Sequence, residues 1–404
     1  MSEYQYYEFL AIDRPLSDLD RKALRARSTR AEITATSFTN WYDWGSFKGD
    51  ASQWMDRWFD LHLYFANWGT RVLMIRLPRR LFDVGELKGL LASSDFAKLR
   101  VAGEHLVLEI TRASEEPDEY EWYDEEDESS RLAAIAPIRT ELLGGDLRLF
   151  TLLWLMTIED ELLEGEPEDP ATFRDDSAEF DLLAGELDDE DRPEPMAGLG
   201  PLTPALEAVA TFFRLNGDLV RAAAERSYAT PNPSSEDARR VITSLSDRER
   251  LALLGRVYEN DPLVAAELRR TVRQRLASAS GPSLPAPRTA NELVARARQF
   301  RDDRRRAAAE AAEAERRREA EQVERARRKR LDLLRVRGDA VWDEIETEVG
   351  RRNASGYDQA ARLLTDLAEL SEEQDRYETF ERHLEDLRER HARKPRFIER
   401  LSDL

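Results

Sequence analysis

Apolar positions recur with two different periods along the chain, and the change of period divides it. Up to about residue 112 the apolar positions fall into short aromatic and β-branched runs: YQYYEFLAI (4–12), AEITATSF (31–38), LHLYFAN (61–67), RVLMIRLP (71–78), KLRVAG (98–103) and HLVLEIT (105–111). Such runs, alternating or wholly apolar, read as strands. Asn67-Trp68-Gly69 and Gly103 punctuate two hairpins. Two short helices are predicted between the strands, one N-capped by Ser17, the other capped by Asp50 or Ser52 with Trp54, Trp58 and Phe59 at helical spacing. Ile138 to Glu161 reads as a mostly buried helix, loosened by Gly144 and Gly145.

Beyond about Pro201 the period is helical throughout. Asn216-Gly217 stops one helix before a short second one, Ser246 to Glu249 has capping-box spacing, and Asp261-Pro262 opens another helix. From Asn291 to about Val349 a single helix approaching 60 residues is expected, on the order of 90 Å long at 1.5 Å per residue. Its middle has no apolar seam, so its order rests on propensity and on pairs such as Glu313–Arg317, Glu321–Arg325 and Glu324–Arg328. Tyr357, Ala360, Leu364 and Leu367 then form one amphipathic face, and Tyr377, Phe380, Leu384 and Leu387 another, capped by Ser371 to Gln374. Phe397, Ile398 and Leu401 close the chain after Pro395.

These elements predict an α+β protein. A mixed α/β domain with a small, mainly antiparallel sheet spans 1–160, an acidic linker 161–200, a helical domain 201–277 and a linker 278–290. A long charged helix follows at 291–350, then a bundle at 351–404 whose short amphipathic helices suit a tetratricopeptide-like array.

Charge sharpens this division. The net charge of -21 comes from one stretch: residues 101–200 carry 31 acids against 6 bases, whereas 1–100 carry 13 against 15 and 201–404 carry 38 against 40. The acids crowd into Glu115 to Ser130 and Glu161 to Arg192, which read as solvated loop and linker. The chain has no cysteine, which excludes disulfides, thiolate-bound zinc and thiol catalysis. No secretory signal is read at the N-terminus, and the longest apolar run, Leu147 to Ile158, is too short to cross a bilayer. A cytoplasmic chain without a membrane partner is the expectation.

Two stretches resemble known families. The C-terminal pattern Tyr357-x-x-Ala360-x-x-Leu363-Leu364, followed by Leu387-Arg388-x-x-His391-x-Arg393-Lys394-Pro395, resembles the helical tail of bacterial SWIM zinc-finger proteins over about 75 residues. The resemblance implies a helical module only, since the zinc ligands of those proteins include cysteines. STRAEIT, NWYDWGSFKGD, YFANWGTR, LMIRLP and RTELLGGDLRLF are similar to a bacterial family with no established activity, across roughly the first 160 residues.

Candidate chemistry is sparse. Five of the eight tryptophans lie within residues 41–68, either as a stacking surface or as the filling of a small core, and the core is favoured. No phosphate loop, HExxH or GxSxG occurs, and neither a cofactor nor a metal is implied. The expected function is non-enzymatic protein interaction, with Trp41, Trp44, Trp68, Arg317, Arg328, Arg330, Tyr377 and His391 as candidate partner-binding residues. One alternative is nucleic-acid association through the arginine-rich helix, which holds 16 bases laced with 11 acids over 291–340. Another is a hydrolase site around Asp60, His62 and the acidic loop.

Overall fold

The computed structural model describes residues 4–43, 45, 47–92, 94–113, 131–164, 183, 185–187, 191–196, 198–226, 233–279, 286–402 and 404. The acidic stretch 115–130 and most of 161–192 lie outside them. The described chain divides into two compact units, Met1–Asp302 and Asp303–Leu404.

The first unit is built on a seven-stranded sheet. Its strands are β1 (Gln5–Leu10), β2 (Glu32–Ile33), β3 (Ser37–Tyr42), β4 (Leu61–Ala66), β5 (Arg71–Pro78), β6 (Ala97–Ala102) and β7 (His105–Arg112). They are ordered β2-β3-β1-β4-β5-β7-β6, and every pairing is antiparallel. Both expected hairpins are present, and the Gly69 turn needs the left-handed φ of +92° that glycine adopts without a Cβ penalty.

Both faces of the sheet are buried, which is why the central strands read as continuous apolar runs. Leu61, Leu63, Phe65, Leu73, Ile75, Leu77, Leu106, Leu108 and Ile110 face one core. The helices that contribute most to this core are α4 (Arg131–Ile135), α5 (Pro137–Leu143), α6 (Leu149–Glu164), α7 (Pro204–Phe212), α8 (Gly217–Ala224) and the start of α12 (Ala290–Arg337). One core thus takes in both the sheet and the helices that follow residue 204. The expected helix from Ile138 to Glu161 is two helices. It breaks because Gly144 ends α5 and Gly145 takes a left-handed φ of +84°. α6 is apolar all round and buries 11 of its 16 residues.

The opposite face is aromatic. Phe9, Phe38 and Met74 meet α1 (Asp18–Arg25) through Leu24 and α2 (Ala51–Arg57) through Trp54 and Met55. Ser17 caps α1 in a capping box and Asp50 caps α2, whose first turn therefore starts where the local sequence places it. α3 (Val84–Leu90) joins the first core through Leu87, and a group formed by α9 (Ser235–Ser244), α10 (Asp247–Tyr258) and α11 (Val264–Ala279) reaches it through Ala266 of α11. Asn216 caps the start of α8; α7 has already ended at Phe212.

The second unit has its own core, in which Leu331 and Leu334 of α12 pack with α13 (Ala340–Gly350), α14 (Ala354–Glu373), α15 (Tyr377–Arg390) and α16 (Pro395–Ile398). The helix expected to reach Val349 ends at Arg337, because Gly338 turns the chain with a φ of +52°. Ser371 to Gln374 do not cap the next helix: α14 continues to Glu373, with the Ser371 hydroxyl donating back to the Ala368 carbonyl. Asp375, at a left-handed φ of +55°, makes the turn instead. Among the described residues no helix is long and apolar enough to cross a membrane.

Candidate interaction surfaces

The aromatic cluster separates into buried and open members. Trp54 packs edge-on to Phe38 and Phe47, each with ring centroids 4.8 Å away, and Trp58 donates its indole N–H to Asp20 Oδ1 at 2.8 Å. These residues fill the second core. Trp41 and Trp68 keep open faces, 46% and 43% exposed. Trp41 stands opposite Tyr6 on β3, and β2 pairs only with Phe38 and Thr39, so the edge strand ends before reaching it. Trp68 occupies the tip of the β4–β5 hairpin. By register both lie at the sheet end where β1 starts and β4 stops. Trp44 lies outside the described residues.

Asp60 and His62 are structural. Asp60 is fully buried; Oδ2 accepts from the backbone N–H of Ile12 (2.6 Å) and Asp13 (2.9 Å), and Oδ1 from Arg76 Nη2 (2.8 Å) and Arg139 Nη2 (3.4 Å). Arg139 also grips Asp13 with both terminal nitrogens, at 2.9 and 2.6 Å, and donates Nε–H to the Arg76 carbonyl. This network ties α5 to the ends of β1, β4 and β5. Burial alone would raise the Asp60 carboxyl, but Arg139 and Arg76 hold it below its ordinary value. His62 stacks on Phe9 at 3.9 Å with Nδ1 at 2.9 Å from the Glu8 carbonyl, and complete burial pushes it down to about 4, so it is neutral at pH 7. Neither side chain is open to a substrate, and the acidic loop proposed with them is outside the described residues.

Glu8 points to the other face of the sheet. It is buried, takes a hydrogen bond from Tyr6 Oη at 3.1 Å and one from the Leu132 backbone, and burial pushes its carboxyl up to about 7.

Among the described residues, the largest group of neighbouring exposed apolar side chains is on α10. This helix buries none of its residues. Leu251, Leu254 and Tyr258, at i, i+3 and i+7, are 68%, 63% and 88% exposed, and Val257 beside them is 55% exposed. The opposite side of α10 meets α11 through ions: Glu249 pairs with Arg275 at 3.1 Å, and Arg256 with Glu267 at 2.8 Å. The inward side therefore carries Glu249 and Arg256 around a half-buried Leu253, while Leu251, Leu254, Val257 and Tyr258 face solvent. The candidate set drawn from the sequence missed these residues. Their signal is LALLGRVY, whose apolar positions occupy more than one face of a single helix.

The candidates of the second unit are dispersed. Arg317, 83% exposed, pairs with Glu321, and Arg328 with Glu324. Glu321 also takes Arg325 and Glu324 takes Arg327, so much of the arginine charge on this part of α12 is matched along its own surface. Arg330 pairs with Asp366 and Glu369 of α14, and His391 bonds Glu346 Oε2 at 2.7 Å while its ring meets Phe397 edge-on. Arg330 and His391 thus join helices of the bundle. Tyr377 is 37% exposed and leans on Phe380. Among the described residues no group of three or more histidines and carboxylates is placed to hold a metal ion. No family model matches the chain, and neither the curated proteins nor the solved structures compared with it give a match.

Proposed function

We propose that the protein is a non-enzymatic interaction protein that binds the amphipathic helix of a partner protein on α10, with its C-terminal tetratricopeptide-like bundle as a second docking module. The observation that carries this reading is the outward apolar stripe Leu251–Leu254–Tyr258 on a helix that buries nothing. Left in water, such a stripe forgoes roughly 25 cal/mol for each Å² of apolar surface that a partner would cover. Spacing of i, i+3 and i+7 matches the complementary stripe of another helix, as in helix-in-groove recognition.

The rim argues for a protein over a membrane. Asp247 and Glu259 stand there with Arg248 and Arg250, a balanced set, whereas a helix lying on an anionic bilayer has a basic polar face. Trp41 and Trp68 offer a second, aromatic surface at the sheet end. Pairing of Arg317, Arg325, Arg327 and Arg328 with neighbouring glutamates speaks against nucleic-acid binding along that stretch of α12.

The test is co-purification from the native host with wild type and with L251E/Y258E. Retention of a stoichiometric partner by wild type and its loss from the folded variant supports the reading. A partner held equally by both removes α10 from it, and concentration-dependent dimerisation abolished by the variant reassigns the stripe to self-association.

A further inference from the structure

The second unit contains a cavity lined by cations. α13 ends at Gly350, Arg351 and Arg352 turn the chain, and α14 starts behind Asn353, whose Oδ1 accepts from the Gly356 N–H at 2.7 Å. The segment between α15 and α16 folds against this turn, with Lys394 Nζ donating to the Val349 carbonyl at 3.0 Å. Between the two lies a cavity of about 510 Å³. Its walls include Arg352, Arg393, Lys394, Arg396 and Arg400, with Tyr357 among the lining residues and no carboxylate.

This convergence runs against composition, since the chain carries 82 acids to 61 bases. It also runs against local habit. Nearby Arg351 pairs with Glu348, Arg390 with Glu346, and Arg400 itself with Asp358. Arg352, Arg393 and Arg396 are exposed and, among the described residues, have no carboxylate in salt-bridge reach. Like charges gathered in one concavity repel one another and concentrate a positive potential that an anion relieves. The first turn of α14, a 20-residue helix, borders the cavity through Asn353 and Ala354, so the positive end of the helix adds to the side-chain set.

We propose that this cavity binds a compact phosphate dianion, such as a phosphate monoester. Four arginines to one lysine suit it, because the planar guanidinium offers paired donors that match phosphate oxygens. Asp358, 47% exposed, leaves a carboxylate paired with Arg400 beside this set. That carboxylate disfavours an extended polyanion laid along these residues, so a localised dianion is preferred over a nucleic-acid backbone. The site is independent of the apolar stripe on α10 and stands or falls apart from it.

Isothermal titration of the full chain at constant ionic strength, with chloride as the balancing anion, tests the proposal. The probes are inorganic phosphate, a short phosphoserine peptide and a single-stranded oligonucleotide. The reference variants are R393Q/R396Q, at exposed positions without ion pairs, and R317Q as a control on α12. Expected are one saturable phosphate site per chain, a loss of roughly tenfold or more in affinity in the double variant, and no change in the control. Tighter binding of the peptide than of free phosphate assigns the site to a phosphorylated protein, and equal binding to a small phosphate ligand; both sustain the proposal. Absence of saturable phosphate binding, equal binding by the double variant, or oligonucleotide binding that depends on Arg393 and Arg396 while phosphate does not bind would overturn it.

Discussion

Replacing Glu8 by glutamine should shift the stability of the first unit, relative to the wild type, in favour of the variant as the pH rises from 4.5 to 8. The carboxyl is buried between β1 and the start of α4, with Tyr6 Oη and the Leu132 N–H as its donors and, among the described residues, no cation paired with it. Burial raises it from an ordinary 4.5 to about 7 in the folded chain. A raised acid binds a proton more readily folded than unfolded, so stability is fully present below pH 4.5 and is lost as the pH rises through 7. A rise of that size is worth roughly 3 kcal/mol. Glutamine keeps the shape without the ionisation, and its amide N–H₂ adds an offset that does not vary with pH. The diagnostic quantity is therefore the slope of the difference between variant and wild type, not its absolute value. Seven of the eight tryptophans lie within Met1–Asp302, so urea unfolding followed by tryptophan fluorescence reports chiefly on this unit. Between pH 4.5 and 8 the difference should move in favour of E8Q by about 3 kcal/mol. A difference that stays constant over that range, or moves toward the wild type, refutes the assignment of Glu8 as a buried, unpaired carboxyl.

Other expectations follow from neighbouring sites. D60A strips a buried carboxylate from Arg76, Arg139 and two backbone N–H groups and should cost on the order of 3–5 kcal/mol, whereas R317A, at an exposed i,i+4 pair, should cost no more than about 0.5 kcal/mol; parallel urea titrations compare them. His62 is held down to about 4, so its contribution is present above pH 6.5 and lost as the pH falls toward 4; H62L should flatten that acid limb in the same unfolding assay. G356A places a methyl 2.5 Å from the Glu348 carbonyl oxygen and should destabilise the second unit by roughly 1–3 kcal/mol, read by circular-dichroism melting of the full chain. L251E/Y258E should change stability by less than about 0.5 kcal/mol, because both side chains are exposed.

What the sequence disclosed was mainly local. Ser17, Asp50 and Ser246 cap where their patterns place them, since each bond closes within three residues. Trp54 and Trp58 fall inside because helical spacing puts them with Phe59 against the strands. The exposure of Trp41 depends on how far β2 extends, which is a property of the neighbouring strand and not of Trp41's own surroundings in sequence. The Asp13–Arg139 contact spans 126 residues, and no spacing rule reaches that far. Ser371 to Gln374 looked like a cap because a serine followed by glutamates fits that pattern. It lost to the continuation of α14, whose Leu363, Leu364 and Leu370 bury on the bundle core. α10 is the opposite case: its apolar residues resemble core, and only the absence of a covering element in the described structure marks them as surface.

Docking of a partner helix on the outward face of α10 can be measured in the cell. The most direct measurement places a photoreactive amino acid at position 254 in the full chain within its native cell, and, as a control, at position 252 on another side of the same helix. Docking on this face should give cross-links from 254, and not from 252, that map to the apolar stripe of an amphipathic helix in another protein. Equal cross-linking from the two positions, or products made only with a second copy of this chain, would contradict it.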